Sequence, residues 1–196
     1  MTENSVTERR LEYLPLEDLK PDPRNPKAHA SEVIDESISR FGYVEPVVID
    51  ERTGFIISGH GRSEVLRQME NRGEVPPDGL RVSESGEWLA PVLRGWASRS
   101  DSEAAATLIA LNRTTELGGW VDEALLDLLE DLTDSPSQFS GVGFTESDFK
   151  ELSTTITNLS TEWELSDPDN EEISPESLGR DLNQTCPSCG MRFKGV

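Results

Sequence analysis

Apolar residues fall in short bursts over the first hundred positions of this chain, and the spacing within the bursts alternates between that of strands and that of helices. Tyr13-Leu14-Pro15-Leu16 reads as a short strand and Glu17-Asp18-Leu19 as a helical turn. Lys20 to Lys27 reads as a stiff loop, because Pro21, Pro23 and Pro26 restrict the backbone and remove donors. Val33, Ile34, Ile38 and Phe41 then recur at helical spacing, with Ser31 expected as the N-cap and Gly42 as the stop, so the pattern predicts a helix over 31–40. Val47-Val48-Ile49-Asp50 and Phe55-Ile56-Ile57-Ser58 flank Thr53-Gly54, the signature of two strands joined by a hairpin. Directly after the second run come Gly59-His60-Gly61-Arg62, and Val65, Leu66 and Met69 share one face of a following helix.

Asn71 to Gly86, rich in Gly, Pro and charge, is expected to be a surface excursion, and Trp88 to Trp96 another strand. Ser100-Asp101-Ser102-Glu103 caps a helix that carries Ala104, Leu108 and Leu111 to about Thr115. Leu125, Leu128, Leu129 and Leu132 predict a helix over about 121–132, and Glu146 to about Leu159 a last one. Trp88 and Trp96 are expected to pack inside, and Trp120 to anchor its helix to the core. Strands and helices in this mixture make an α+β class, a small mixed sheet with packed helices.

Charge divides the chain. Between Val121 and Asp181 there are 17 Asp and Glu against only Lys150 and Arg180, a local −15 out of a total of −20. Such acidity opposes broad contact with nucleic acid, which rests on neutralising phosphates, so any DNA contact is expected through a local patch or a partner protein. Thr161 to about Asn183 has too little apolar content to offset the entropy of ordering and is read as a disordered linker. The expected organisation is thus a flexible terminus over 1–10, a main domain over 11–120, a helical extension over 121–160, an acidic linker over 161–183 and a tail over 184–196. No apolar run approaches the roughly 18 residues that cross a bilayer, and no signal peptide is visible, so a cytoplasmic protein with no membrane partner is expected.

Chemistry concentrates at the glycine turn. A Gly-x-Gly pair between a strand and a helix lets backbone approach a phosphate, and the free amides and positive end of the helix favour its charge. Arg62 would add a forked, permanent cation. His60, with an unperturbed pKa near ~6.5, suits a general base or a second phosphate donor, against the plain reading that it faces solvent. Glu45 is a candidate catalytic or metal carboxylate; Glu64, Asp22 and His29 are weaker candidates. In the tail, Cys186 and Cys189 stand in Cys-Pro-Ser-Cys-Gly, which resembles one knuckle of a zinc ribbon and suits half of a Zn2+ site better than a structural disulfide. Four ligands are needed and no second pair lies nearby, which leaves a homodimer, a partner, or a relic with free thiols.

Three segments together resemble the ParB/sulfiredoxin superfamily, in particular the ParB-like domains of phage and mobile-element proteins. They are Leu16 to Lys27, like the family's opening box; Ser37 to Asp50 running into Ile57-Ser58-Gly59-His60-Gly61-Arg62, like its phosphate box; and Leu108 to Arg113 followed by Glu116-Leu117-Gly118-Gly119-Trp120, like the Asn-Arg segment of the phage-type subgroup. The resemblance implies a nucleotide site in which Gly59, His60, Gly61 and Arg62 take the phosphates, Arg24 and Asn25 line the pocket, and Asn112 and Arg113 close it. The ligand it implies is CTP or ATP with Mg2+. Members of the superfamily include CTP-dependent DNA clamps, ATP-using sulfiredoxins, free-serine kinases and assigned nucleases. Where partition proteins carry Gly-Glu-Arg-Arg, this chain has His60 and Gly61 in the middle. Sulfiredoxins place their cysteine where His60 stands, so thiol chemistry is not expected. No helix-turn-helix with a basic recognition helix follows residue 120.

Three readings follow. The first is nucleotide hydrolysis or phosphoryl transfer in phage or mobile-element DNA metabolism. The second is a non-catalytic module associated with DNA or with a partner such as a methyltransferase. The third is a DNA nuclease, for which no close trio of acidic residues speaks.

Overall fold

The computed structural model describes residues 8–135, 138–165 and 184–193. Two compact units divide the chain at Leu152/Ser153, inside its last long helix. The first unit is built on a six-stranded mixed sheet. Strands β1 (Arg10–Pro15), β2 (Lys20–Pro21), β3 (Val47–Asp50), β4 (Phe55–Ser58) and β6 (Trp88–Trp96) run in the order β1-β6-β3-β4-β2, and β5 (Arg81–Val82) pairs with β6. β1 is antiparallel to β6, in register from Arg10↔Arg94 to Pro15↔Leu89, and β3 is parallel to β6. β3 and β4 form the expected antiparallel hairpin, and β2 lies parallel to β4 at the edge. The class is therefore α+β, as the mixed periodicities required.

Helices α1 (Ser31–Phe41) and α2 (His60–Asn71) pack together and are tied by Arg72 to Asp35 at 2.5 Å. Val65, Leu66 and Met69, on one face of α2, join Val47, Ile49, Ile56 and Val92 from the sheet and Ile38 and Tyr43 in one core. Each of these fully buried aliphatic side chains contributes roughly 1.5–3 kcal/mol of transfer energy. The guanidinium of Arg67 donates to the carbonyls of Leu16 and Leu19, which fixes the turn Leu16–Asp18 against α2. Further helices are α3 (Asp101–Gly118), α4 (Asp122–Thr133) and α5 (Glu146–Leu165). Ser100 caps α3 as expected, its hydroxyl accepting from the Glu103 amide at 3.1 Å.

One buried carboxylate closes the hairpin region. Asp50 is fully buried at the end of β3, accepting from the Ser98 amide (2.9 Å) and hydroxyl (2.6 Å), the Arg52 amide (3.0 Å) and the Thr53 hydroxyl (3.0 Å). Burial pushes its pKa up, but these donors, Ser98 first, outweigh that and hold it below the usual value.

Several expectations change. Ser31 is the first helical residue, not the cap; Ala30 precedes α1 and has no side-chain oxygen to offer. Trp120 is 70% exposed and does not anchor a helix in the core; it sits between α3 and α4, with its ring edge-on to Phe144 at 5.8 Å. The excursion over 71–86 contains β5, and the loop over 20–27 begins with β2; each is two residues long and exists only through its pairing. Arg10, placed in the flexible terminus, begins β1, and Thr161 to Leu165, placed in the linker, continue α5. The rest of that linker, 166–183, lies outside the described residues. Among the described residues, no helix is long and apolar enough to cross a membrane.

Candidate functional site

The site begins where β4 gives way to α2. Gly59, at φ +97°, turns the chain in the left-handed region, and a Cβ there would stand 3.1 Å from Val47 Cγ2, so both conformation and space call for glycine. The first helical hydrogen bond is from the Ser63 amide to the Gly59 carbonyl at 2.9 Å, which leaves the amides of His60, Gly61 and Arg62 ahead of the helical ladder. Gly61 is required for a different reason: a Cβ on it would stand 2.8 Å from the His29 ring and 2.9 Å from Ile34 Cδ1. His29 thus covers the Cα face of the second glycine.

Arg62 lies beside a cavity of about 860 Å³ walled by α1, the segment Gly42 to Glu45, the elbow and α3. Its Nη1 pairs with Glu45 Oε2 at 2.6 Å, while Nε and Nη2 are buried with no hydrogen-bond partner. Tyr43 Oη, on the same wall, is likewise buried without one. Burial pushes the Tyr43 hydroxyl pKa up against the opposing pull of the nearby Arg62 charge. Leaving buried donors unmade costs ~1–3 kcal/mol each, more for a charged group, so the Arg62 guanidinium and the Tyr43 hydroxyl, close enough to interact with each other, are under-satisfied beside the cavity. Glu45, proposed from sequence as a catalytic carboxylate, is the one acidic residue on the cavity wall and is held by Arg62.

His60 does not face solvent. It is 9% exposed, and its Nε2 accepts from the Asp22 amide at 3.2 Å, which links the opening box to the elbow. Burial, with the nearby His29, lowers its pKa below 6.5 against the attraction of Asp22, so the ring is neutral and acts as an acceptor. Asp22 is itself buried and receives both arms of Arg24, Nε to Oδ1 at 3.0 Å and Nη2 to Oδ2 at 2.7 Å, which holds its pKa down despite burial. Arg24 is therefore clamped to Asp22 and is not on the cavity wall, and Asn25 is not on it either. Asn25 lies 3.4 Å from His29 Nε2 and accepts from the Lys27 amide.

From α3, Asn112 lines the cavity, its Nδ2 donating to the Leu108 carbonyl at 2.9 Å. Arg113 lines a smaller adjoining pocket of about 430 Å³ with Lys27 and Glu116. There Glu116 accepts from Lys27 at 3.1 Å and from Arg113 at 3.3 Å. Lys27, like Asn112, lines both pockets, and neither Lys27 nor Tyr43 has a site role assigned from the sequence. Nothing in the sequence marks Tyr43, whereas Lys27 ends the opening box and had a visible signal.

In the second unit, Cys186 and Cys189 are unbonded thiols on a hairpin formed by β7 (Gln184–Thr185) and β8 (Arg192–Phe193). The amides of Ser188 and Cys189 donate to the Cys186 sulfur, and these, with the neighbouring thiol, lower its pKa. Among the described residues, no group of three or more His, Cys, Asp and Glu is placed to hold a metal ion.

Comparison with known proteins agrees with the resemblance over part of the chain. No family model matches. Over 56 residues the chain is 45% identical to the "ParB-like nuclease domain-containing protein YnaK" of Escherichia coli strain K12; the match takes in 27% of this chain and 63% of the length of that relative. Among solved structures, the fold is similar to the C-terminally truncated chromosome-partitioning protein ParB of Caulobacter crescentus complexed with CTP-γ-S, at 14% identity and a TM-score of 0.42, over 73% of this chain and 70% of that one. A Pnob8-like ParB-N domain aligns at 14% identity and a TM-score of 0.37, over 99% of this chain and 59% of that one. At that level of similarity neither structure carries a residue role to this chain.

Proposed function

We propose that this chain carries a ParB-like domain of the ParB/sulfiredoxin superfamily, and that the cavity at the β4–α2 elbow binds a nucleoside triphosphate through its phosphates. The observation that carries the reading is Arg62, whose Nε and Nη2 are buried without a hydrogen-bond partner, standing with Tyr43 among the residues that line an 860 Å³ cavity at a helix N-terminus. Phosphate oxygens would take the amides of His60, Gly61 and Arg62, which precede the helical ladder, and the Arg62 guanidinium once it turns from Glu45 toward the cavity. Lys27, now paired with Glu116, stands where the two pockets meet and would reach the far end of a long anion.

His60 serves the site by position. As a neutral acceptor for the Asp22 amide it holds the opening box on the elbow, so it is a positioning residue in this reading. Mg2+ would arrive with the triphosphate, since such ions are held largely by phosphates and water. Hydrolysis or phosphoryl transfer is the chemistry proposed for the bound nucleotide, and DNA metabolism of a phage or mobile element the setting, supported by the phage-type segment Leu108 to Trp120. The name of the E. coli relative includes a nuclease domain, but the single carboxylate on this cavity wall is tied to Arg62, so nuclease chemistry is not the reading favoured here.

Isothermal titration of the full chain with CTP, ATP and GTP, with and without Mg2+, tests the proposal. Binding of at least one nucleotide is expected, weakened roughly 10- to 100-fold by Arg62→Ala and less by Tyr43→Phe, as befits charged and neutral hydrogen bonds. Absence of heat for all three, or an Arg62→Ala protein that binds as the parent does, would refute it.

A further inference from the structure

Outside the cavity, the segment Thr185 to Arg192 poses a physical question of its own. It folds into a tight hairpin, with the Cys186 amide donating to the Met191 carbonyl at 2.8 Å and the Gly190 amide to the Cys186 carbonyl at 2.9 Å. Yet from Gln184 to Arg192 every residue is exposed except Cys186, and each strand is two residues long. Hairpins that bury so little do not hold in water by themselves; small modules of this kind rely on a disulfide or a metal. A disulfide is not what this hairpin contains, because both thiols are unbonded.

We propose that Cys186 and Cys189 are half of a tetrahedral zinc site, completed by the same two cysteines of a second copy of this chain. The two cysteines sit three positions apart on one tight turn, closed by the Gly190 amide donating to the Cys186 carbonyl and seated between the paired strands β7 and β8. Structural zinc takes four ligands, of which Cys and His are the usual kinds. The chain has two Cys and two His. His60 is buried with Nε2 engaged by the Asp22 amide, and His29 is packed on Gly61 beside Asn25. No third ligand is gathered around the cysteines among the described residues. Two chains supply four thiolates, and on binding the thiol protons pass to solvent. The resulting cluster is doubly negative, and the charged residues after Asp181 are Arg192 and Lys194, both of the opposite sign.

The full chain, loaded with Zn2+ and dialysed, should hold one zinc per two chains and have twice the 21.7 kDa monomer mass by light scattering. Replacement by Co2+ should give the intense near-ultraviolet and visible bands of a tetrathiolate site. Cys186→Ser and Cys189→Ser should each lose the metal and return the protein to a monomer, with nucleotide titration at the Arg62 cavity unchanged, so that the two proposals fail separately. A chain that retains no metal, a zinc-loaded monomer, or a metal-containing dimer that persists in Cys186→Ser would overturn this inference.

Discussion

Arg62 carries a cost in the fold. Its Nε and Nη2 are buried without partners, and its ion pair is with Glu45, whose side chain is 68% exposed. Truncating it removes two unsatisfied donors and an exposed pair worth little, so Arg62→Ala should leave the melting temperature unchanged or raise it while nucleotide binding falls. A marked drop in melting temperature would mean that the guanidinium is structural. The titrating residues make a separate forecast. His60 has its pKa lowered by burial, so its contribution is whole above pH 6.5 and is lost as pH falls from there through its folded value. Glu51, held at about 2 by Arg94, contributes fully above its ordinary 4.5, on the order of 2 kcal/mol after solvent screening, and that is lost as pH falls from 4.5 towards 2. Urea midpoints should therefore decline in two stages, and His60→Gln, which keeps an acceptor for the Asp22 amide, should flatten the first stage only.

At the scale of elements, the β3–β4 hairpin and the elbow were legible because they are local: strand periodicity, a turn glycine and a helical face lie within 25 residues of one another. The two-residue strands β2 and β5 were not, since nothing but their neighbours makes them strands. The opening box marks Arg24 as a pocket residue, but Asp22, two positions away, offers it a partner, and the buried carboxylate holds it. Tyr43 was hidden because a core tyrosine and a binding tyrosine look alike in sequence, and only the unpaired hydroxyl tells them apart. The elbow's two glycines should respond differently to alanine. Gly59→Ala forces a left-handed residue against Val47 and should cost about 2 kcal/mol in chemical denaturation. Gly61→Ala sets a methyl 2.8 Å from the His29 ring and 2.9 Å from Ile34 Cδ1, and helix propensity offsets only part of the cost of moving both, so stability should fall by about 1 kcal/mol while the His29 ring resonances shift in NMR spectra.

For the whole molecule, a net charge of −20 on 196 residues means that like charges repel throughout the folded state. Raising the salt from about 20 mM to about 500 mM, which shortens the Debye length severalfold, should raise the melting temperature. A fall would mean that the surface ion pairs outweigh the repulsion. Domain-scale chemistry was legible only as a pattern of charge: the acidic stretch stood out, but Thr161 to Leu165 prolong α5 because Trp163 and Leu165 and their glutamates are adequate helix formers.

The outer strand of the sheet imposes an order of events during synthesis. Arg10 pairs with Arg94 and Pro15 with Leu89, partners separated by most of the domain's length. β1 is made well before β6 and must wait, unpaired, until that template strand emerges, while the central hairpin and the helix behind it assemble from neighbours in the meantime. The nascent chain is then vulnerable at β1, where a chaperone or a protease meets the strand before its partner has been made.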